Sequence, residues 1–87
     1  MPRPSCPACA SLLDFEPWPG GLGSHEICPA CGIHFGYNDA SDDLRPFIYA
    51  EWRREWNERG CHPFSGDEWQ QVAAAVIKAA KAKLRTR

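Results

Sequence analysis

A helical spacing of apolar residues marks the second half of the chain. Before Gly60 the apolar side chains lie three, four and seven positions apart: Ile48, Tyr49, Trp52 and Trp56. Residues three and four apart share one side of a helix, so this spacing predicts an amphipathic helix with an aromatic face from about residue 44 to residue 59. Gly60 supplies the stop signal.

A second helix is predicted to begin at Ser65. Ser65-Gly66-Asp67-Glu68 has the form of a capping box, in which the serine hydroxyl and the glutamate carboxylate each accept a hydrogen bond from the other residue's backbone amide. The apolar positions that follow keep helical spacing: Trp69, Val72, Ala73, Val76, Ile77, Ala80 and Leu84. We expect this stripe to pack on the aromatic face of the first helix.

The first forty residues show a different period. Apolar and polar residues alternate in two places: Leu13 with Phe15, and later Ile33, Phe35 and Tyr37. Alternation is typical of half-buried strands, and residues 24–27 supply a third short strand after a loop rich in proline and glycine. The expected fold class is therefore α+β, with a three-stranded unit in residues 1–40 packed on a helical pair in residues 41–87 as one compact domain.

Two Cys-x-x-Cys pairs lie in this first part, separated by eighteen residues: Cys6, Cys9, Cys28 and Cys31. Each pair can aim two thiolates at one point, and two pairs supply the four sulfurs of a tetrahedral zinc site. The spacing predicts a zinc ribbon with one structural zinc ion per chain. Four thiolates leave no position for water or substrate, which is typical of structural rather than catalytic zinc.

Two disulfides or a redox Cys-x-x-Cys are the alternatives for these cysteines. A redox motif needs a βαβ context that the pattern lacks. The chain begins at Met1 without a secretory signal segment, which favours a reducing cytoplasm where disulfides rarely persist. No apolar run reaches the length of about twenty residues that a membrane helix needs.

Cys61, His25 and His34 are competing metal ligands. His34 lies three residues after Cys31, and Cys61 precedes a histidine in the turn between the helices. Because four thiolates already complete a zinc shell, we interpret these three residues as surplus or core residues. Cys61 can alternatively be a reactive thiol, if His62 lowers its pKa.

The sequence favours a non-enzymatic protein. The neighbouring acids Asp42 and Asp43 are explained by the dipole of the helix that follows them, and Glu51 with Glu55 by an exposed helix face. The run Gly20-Gly21-Leu22-Gly23 lacks the Lys-Ser/Thr and the helix start of a phosphate loop. No catalytic residue is predicted.

Two surfaces are candidates for a partner. Trp18 lies between two prolines at a loop tip, and an exposed tryptophan is a favoured anchor in protein–protein interfaces. Lys78, Lys81 and Arg85 form a basic helix end that can neutralise nucleic-acid phosphates. The net charge is −1 and residues 6–37 contain no Lys or Arg, so we rank a protein partner above nucleic acid.

The chain resembles the bacterial cysteine-rich CPCC-type zinc-ribbon proteins. Three stretches carry the resemblance: residues 24–32 around the second cysteine pair, Phe35-Gly36-Tyr37-Asn38-Asp39-Ala40, and residues 51–65 with Glu-Trp-Arg-Arg-Glu-Trp. Ala10, which directly follows the first cysteine pair, occupies a position where that family has glycine. The resemblance implies an intracellular zinc-binding fold, in some cases in phage, toxin-immunity or other conflict systems.

Overall fold

The computed structural model describes residues 3–86 and contains two packed α-helices. Helix α1 spans Arg45–Glu58 and helix α2 spans Gly66–Arg85, after a 3-10 turn at Pro19–Gly21. Both helices predicted from the apolar spacing are confirmed. Their packed faces bury five of the residues that define that spacing: Ile48, Trp52, Val72, Val76 and Ala80.

The predicted α+β fold with a three-stranded ribbon is wrong. Residues 3–86 contain no strand, and the pairing in the first part is limited to isolated antiparallel bridges at Ser5–Leu12 and Ile27–His34. The fold is therefore all-α. His25 has a φ of 61° and Gly36 has a φ of 91°, so the segments predicted as strands at residues 24–27 and 33–37 each contain a left-handed residue that interrupts extended backbone.

The predicted capping box at the start of α2 is also wrong. Ser65 makes no side-chain cap hydrogen bond, and Gly66 has a φ of 60°, which turns the backbone between the serine and the rest of the helix. The Glu68 carboxylate instead contacts His62 Nε2 at 2.7 Å and Arg59 Nη1 at 3.5 Å. These bonds hold the Glu68 side chain against the turn between the helices.

Asp39 is a fully buried carboxylate that ties the cysteine-rich first part of the chain to α1. Its oxygens accept hydrogen bonds from the Gly36 amide at 2.6 Å, the Trp18 indole at 2.9 Å and the Tyr49 hydroxyl at 2.5 Å. Burial raises the pKa of Tyr49, so its hydroxyl stays protonated and donates. Asp39 thus links three separate segments of the chain through buried hydrogen bonds.

Glu51 is a second buried carboxylate and fastens the far end of α2 to α1. The sequence pattern assigns it to the polar face, yet its side chain is only 3% exposed. It accepts a hydrogen bond from Arg54 at 2.9 Å and forms an ion pair with Lys83 of α2. The hydrogen bond with Lys83 lowers the pKa of Glu51, against the opposing effect of burial.

Acid should weaken this connection between the helices. Because folding lowers the pKa of Glu51, its contribution to stability is complete above the ordinary value of 4.5 and is lost as the pH falls through the lower value of the folded state. Glu51→Gln should reduce the free energy of unfolding by about 1.5 kcal/mol at neutral pH, and by less in acid. Urea unfolding at both pH values measures this, with Glu58→Gln as the control. An equal loss at both pH values would contradict it.

No helix within residues 3–86 has the length and apolar character needed to cross a membrane.

Candidate metal centre

The two Cys-x-x-Cys turns share one backbone geometry. In the first turn the Cys6 carbonyl accepts the Ala10 amide at 2.8 Å, and in the second the Cys28 carbonyl accepts the Gly32 amide at 2.9 Å. Ala10 has a φ of 69° and Gly32 has a φ of 82°, so both turns close through a left-handed residue. The first turn therefore forms with alanine at the position where CPCC-type proteins have glycine.

This pair of residues gives a matched prediction. Ala10→Gly should raise the free energy of unfolding by about 0.5 to 1 kcal/mol, because glycine adopts a positive φ without the Cβ strain of alanine. Gly32→Ala should lower it by about 2 kcal/mol or more, since strain adds to a clash. A Cβ on Gly32 would lie 2.5 Å from the Phe64 carbonyl oxygen. Urea unfolding of both variants decides this, and the same sign for both changes would contradict it.

The four sulfurs converge as the spacing predicts. The Sγ atoms of Cys6, Cys9, Cys28 and Cys31 all lie within 4.8 Å of one another. Across the two turns, Cys6 Sγ lies 3.8 Å from Cys31 Sγ, and Cys9 Sγ lies 3.7 Å from Cys28 Sγ. A zinc ion with four Zn–S bonds of about 2.3 Å requires sulfur separations of about 3.8 Å. The four buried thiols can thus hold a metal ion.

All five cysteines of the chain are free thiols in the structure. The cross-turn sulfur separations of 3.7 and 3.8 Å are far longer than the bond of about 2.05 Å in a disulfide. The arrangement fits metal ligands better than disulfides between the two turns.

The surroundings of the sulfurs favour negative charge at one of them. Hydrogen bonds from Cys31 and Cys6 lower the pKa of the Cys28 thiol to about 2. The hydrogen bond between Cys6 and Cys28 in turn raises the pKa of Cys6 to about 12. Hydrogen bonds with Cys28 and Cys6, together with burial, raise the pKa of Cys31 as well. Binding of a metal ion by these sulfurs must therefore displace the protons that Cys6 and Cys31 retain.

The competing ligands lie outside this cluster. Cys61 is exposed and its thiol contacts Asn57 Oδ1 at 3.6 Å. The rings of His25 and His34 meet edge to face with centroids 5.9 Å apart. Within residues 3–86, the four-cysteine group is the only set of His, Cys, Asp or Glu side chains placed to share a metal ion.

Three tryptophans hold the second Cys-x-x-Cys turn against the helices. Their indole N–H groups donate to three consecutive carbonyl oxygens: Trp56 to Ala30 at 2.8 Å, Trp52 to Cys31 at 3.1 Å and Trp69 to Gly32 at 2.9 Å. We call these three side chains the indole clamp. Trp52 and Trp56 come from α1 and Trp69 from α2, so the clamp connects the metal centre to both helices.

Trp18, the predicted interface anchor, is half-buried. Its indole N–H donates to Asp39, and the Arg45 guanidinium lies 3.9 Å above its ring centroid. All four tryptophans therefore have an internal acceptor for their indole N–H. A role of Trp18 in binding a partner stays a prediction.

The predicted basic residues are on the surface of α2. Lys78, Lys81 and Arg85 are all exposed, and the Arg85 guanidinium reaches the Lys81 carbonyl at 3.5 Å. Lys83, between them, is the residue that pairs with Glu51. The basic end of the helix thus keeps three side chains facing solvent.

The chain matches no family model, no curated protein and no solved structure in the three comparisons. The resemblance to CPCC-type proteins stays a prediction, and function must be argued from the site.

The sequence could not reveal two features of the site, the indole clamp and the Asp39 connection. The aromatic face of α1 was visible, but the carbonyl acceptors of the clamp lie 21, 26 and 37 positions away from their donors. Such contacts follow from the packing of distant segments and have no local signal.

Proposed function

We propose that the protein is a non-enzymatic module in which one structural zinc ion fixes a surface that binds another protein. The buried four-sulfur cluster carries this proposal. Each sulfur belongs to a cysteine that is at most 5% exposed, so a metal bound by all four has no position open for water or substrate. Zinc suits a four-thiolate tetrahedron and has no redox chemistry, although iron accepts the same ligands.

The distribution of exposed apolar side chains supports a protein partner. Within residues 3–86, the large apolar residues that face solvent all lie before residue 40: Leu12, Leu22, Ile27 and Tyr37, which are 57 to 74% exposed. The same part of the chain has no Lys or Arg between residues 4 and 44. An exposed apolar and acidic surface is suited to a protein partner and repels nucleic-acid phosphates.

Nucleic-acid binding is the second candidate, and one observation favours it. Lys78, Lys81 and Arg85 are exposed on α2 and no acidic residue follows Glu68 in the sequence. Basic residues in the last turns are also what the helix dipole favours, so their presence alone does not require a nucleic acid.

A comparison of two double variants separates these functions. Tagged zinc-loaded protein is used to capture partners from its host, and fluorescence anisotropy measures binding to mixed DNA and RNA at low and moderate salt. We expect a captured protein that is lost with Leu22→Ser, Ile27→Ser and kept with Lys78→Ala, Arg85→Ala. Tight, salt-sensitive nucleic-acid binding that disappears with the basic variant would overturn the proposal. The identity of a captured protein would also test the link to conflict systems.

A further inference from the structure

A pocket of about 360 Å³ opens between the second Cys-x-x-Cys turn and the start of α2. The lining includes Ile27, Gly32 and His34 from around the turn, Phe64 from the segment before α2, and Trp69 from the first turn of α2. Ile27 immediately precedes the ligand Cys28, and Gly32 immediately follows the ligand Cys31. The walls of the pocket are therefore positioned by the metal centre and by the Trp69 member of the indole clamp.

The pocket has a largely apolar lining. Ile27 supplies an aliphatic side chain and Phe64 an aromatic one. The indole N–H of Trp69 already donates to the Gly32 carbonyl, so it is not free to bind a ligand. The pocket is therefore suited to an apolar side chain.

Two exposed acidic residues are next in sequence to residues that line the pocket. Glu26 precedes Ile27 and Asp67 follows Gly66, and neither carboxylate forms an ion pair within residues 3–86. Arg59, in the turn between the helices, already forms an ion pair with Glu55 at 3.1 Å. Two unpaired acids this close along the chain to the lining favour a partner with positive charge beside the inserted group.

We propose that this pocket receives one apolar side chain of a partner peptide whose flanking residues are Lys or Arg. The apolar lining binds the inserted side chain, and Glu26 with Asp67 meet the flanking cations. The volume is near the lower end of ligand sites, about 300 to 1,000 Å³, which suits one or two side chains. This inference rests on the proposed function and names the chemistry of its partner.

Titration of the zinc-loaded full chain with three probe peptides tests the proposal. The probes are blocked octapeptides with the same central Leu-Phe pair, flanked by Lys, by Glu or by Ser. NMR shifts of the ¹⁵N-labelled protein locate the site and give the affinities. We expect saturable shifts at the Ile27 amide and the Trp69 indole, and affinity for the Lys peptide about tenfold above that for the Glu peptide, a difference that narrows as salt is raised.

Matched variants assign the binding to the pocket. Ile27→Ala should lower the affinity for the Lys-flanked peptide about fivefold. Leu12→Ala removes a similarly exposed apolar side chain outside the pocket and should leave that affinity unchanged. Asp67→Asn should reduce the ratio of the affinities for the Lys-flanked and Glu-flanked peptides. Asp43→Asn, which also changes an exposed acid, should leave that ratio unchanged.

Four results would overturn the proposal: no saturable shift at millimolar peptide, equal affinity for all three probes, shifts centred away from Ile27 and Trp69, or equal effects of Ile27→Ala and Leu12→Ala. None of these results overturns the proposal that the protein binds another protein. A captured partner whose binding requires Leu22 would still show protein binding at another part of the surface. Failure of the module is recognised separately, by nucleic-acid binding through Lys78 and Arg85.

Discussion

Cys31→Ser should abolish metal binding and unfold both helices together with the first half of the chain. Structural zinc in small domains contributes about 10 kcal/mol or more, which is comparable to the entire stability of about 5 to 15 kcal/mol expected of a domain. The buried cysteines and the packed faces of α1 and α2 belong to one hydrophobic core. Loss of the metal should therefore destabilise the whole of that core.

The indole clamp is the reason why the helices should not survive alone. Trp52, Trp56 and Trp69 donate to three consecutive carbonyls of the second Cys-x-x-Cys turn. If that turn loses its metal and its shape, the indoles lose their acceptors, and the apolar faces of the helices lose the surface that covers them. Unfolding should thus extend beyond residues 6–37.

Far-ultraviolet circular dichroism and metal content measure this result. The helical signal of Cys31→Ser, and of the parent protein after chelation, should fall to that of an unfolded chain. Cys61→Ser is the matched control, because Cys61 is exposed and lies outside the sulfur cluster; it should keep both metal and helices. Retention of full helicity by metal-free Cys31→Ser would show that α1 and α2 fold independently.

Trp52→Ala should be the most destabilising single change among the helix residues, at about 3 to 5 kcal/mol. Trp52 is fully buried, its ring packs against Phe64 with centroids 5.9 Å apart, and its indole N–H donates to the carbonyl of the ligand Cys31. The change to alanine leaves a cavity and removes a bond that holds the metal centre to α1.

Urea unfolding of zinc-loaded protein gives the size of the loss. Trp52→Phe is a useful comparison, since it keeps a smaller aromatic ring in the core while removing the indole donor; we expect it to cost less than Trp52→Ala, with the lost hydrogen bond contributing about 1 to 2 kcal/mol. A loss below about 1 kcal/mol for Trp52→Ala would mean that α1 does not rest on the cysteine turn.

The features that the sequence predicted correctly are those with a local signal. The helices were predicted because apolar residues such as Ile48 and Trp52, or Val72 and Val76, recur within a single helical turn or two. The clustering of the four cysteines was predicted because each Cys-x-x-Cys pair is itself a tight turn, and two such pairs can bring their sulfurs to one point.

The errors arose where long-range contacts override local pattern. The alternation around Ile33 and Phe35 has the period of a strand, but both residues are fully buried beside the metal centre, and the left-handed residues His25 and Gly36 end the extended segments. The capping-box pattern failed because the Glu68 side chain binds His62 and Arg59 across the inter-helix turn instead of its own helix start. Local propensity is a weak prior against such contacts.

Native mass spectrometry of protein purified without chelator tests directly whether the four clustered cysteines bind zinc. We expect one zinc ion per chain, with a mass that reveals the loss of thiol protons on metal binding, and metal-free spectra for Cys6→Ser and Cys31→Ser beside a zinc-bound Cys61→Ser. One iron ion in the same four-cysteine site would revise the metal and keep the site. A folded, metal-free parent with five free thiols or with two disulfides would contradict the account.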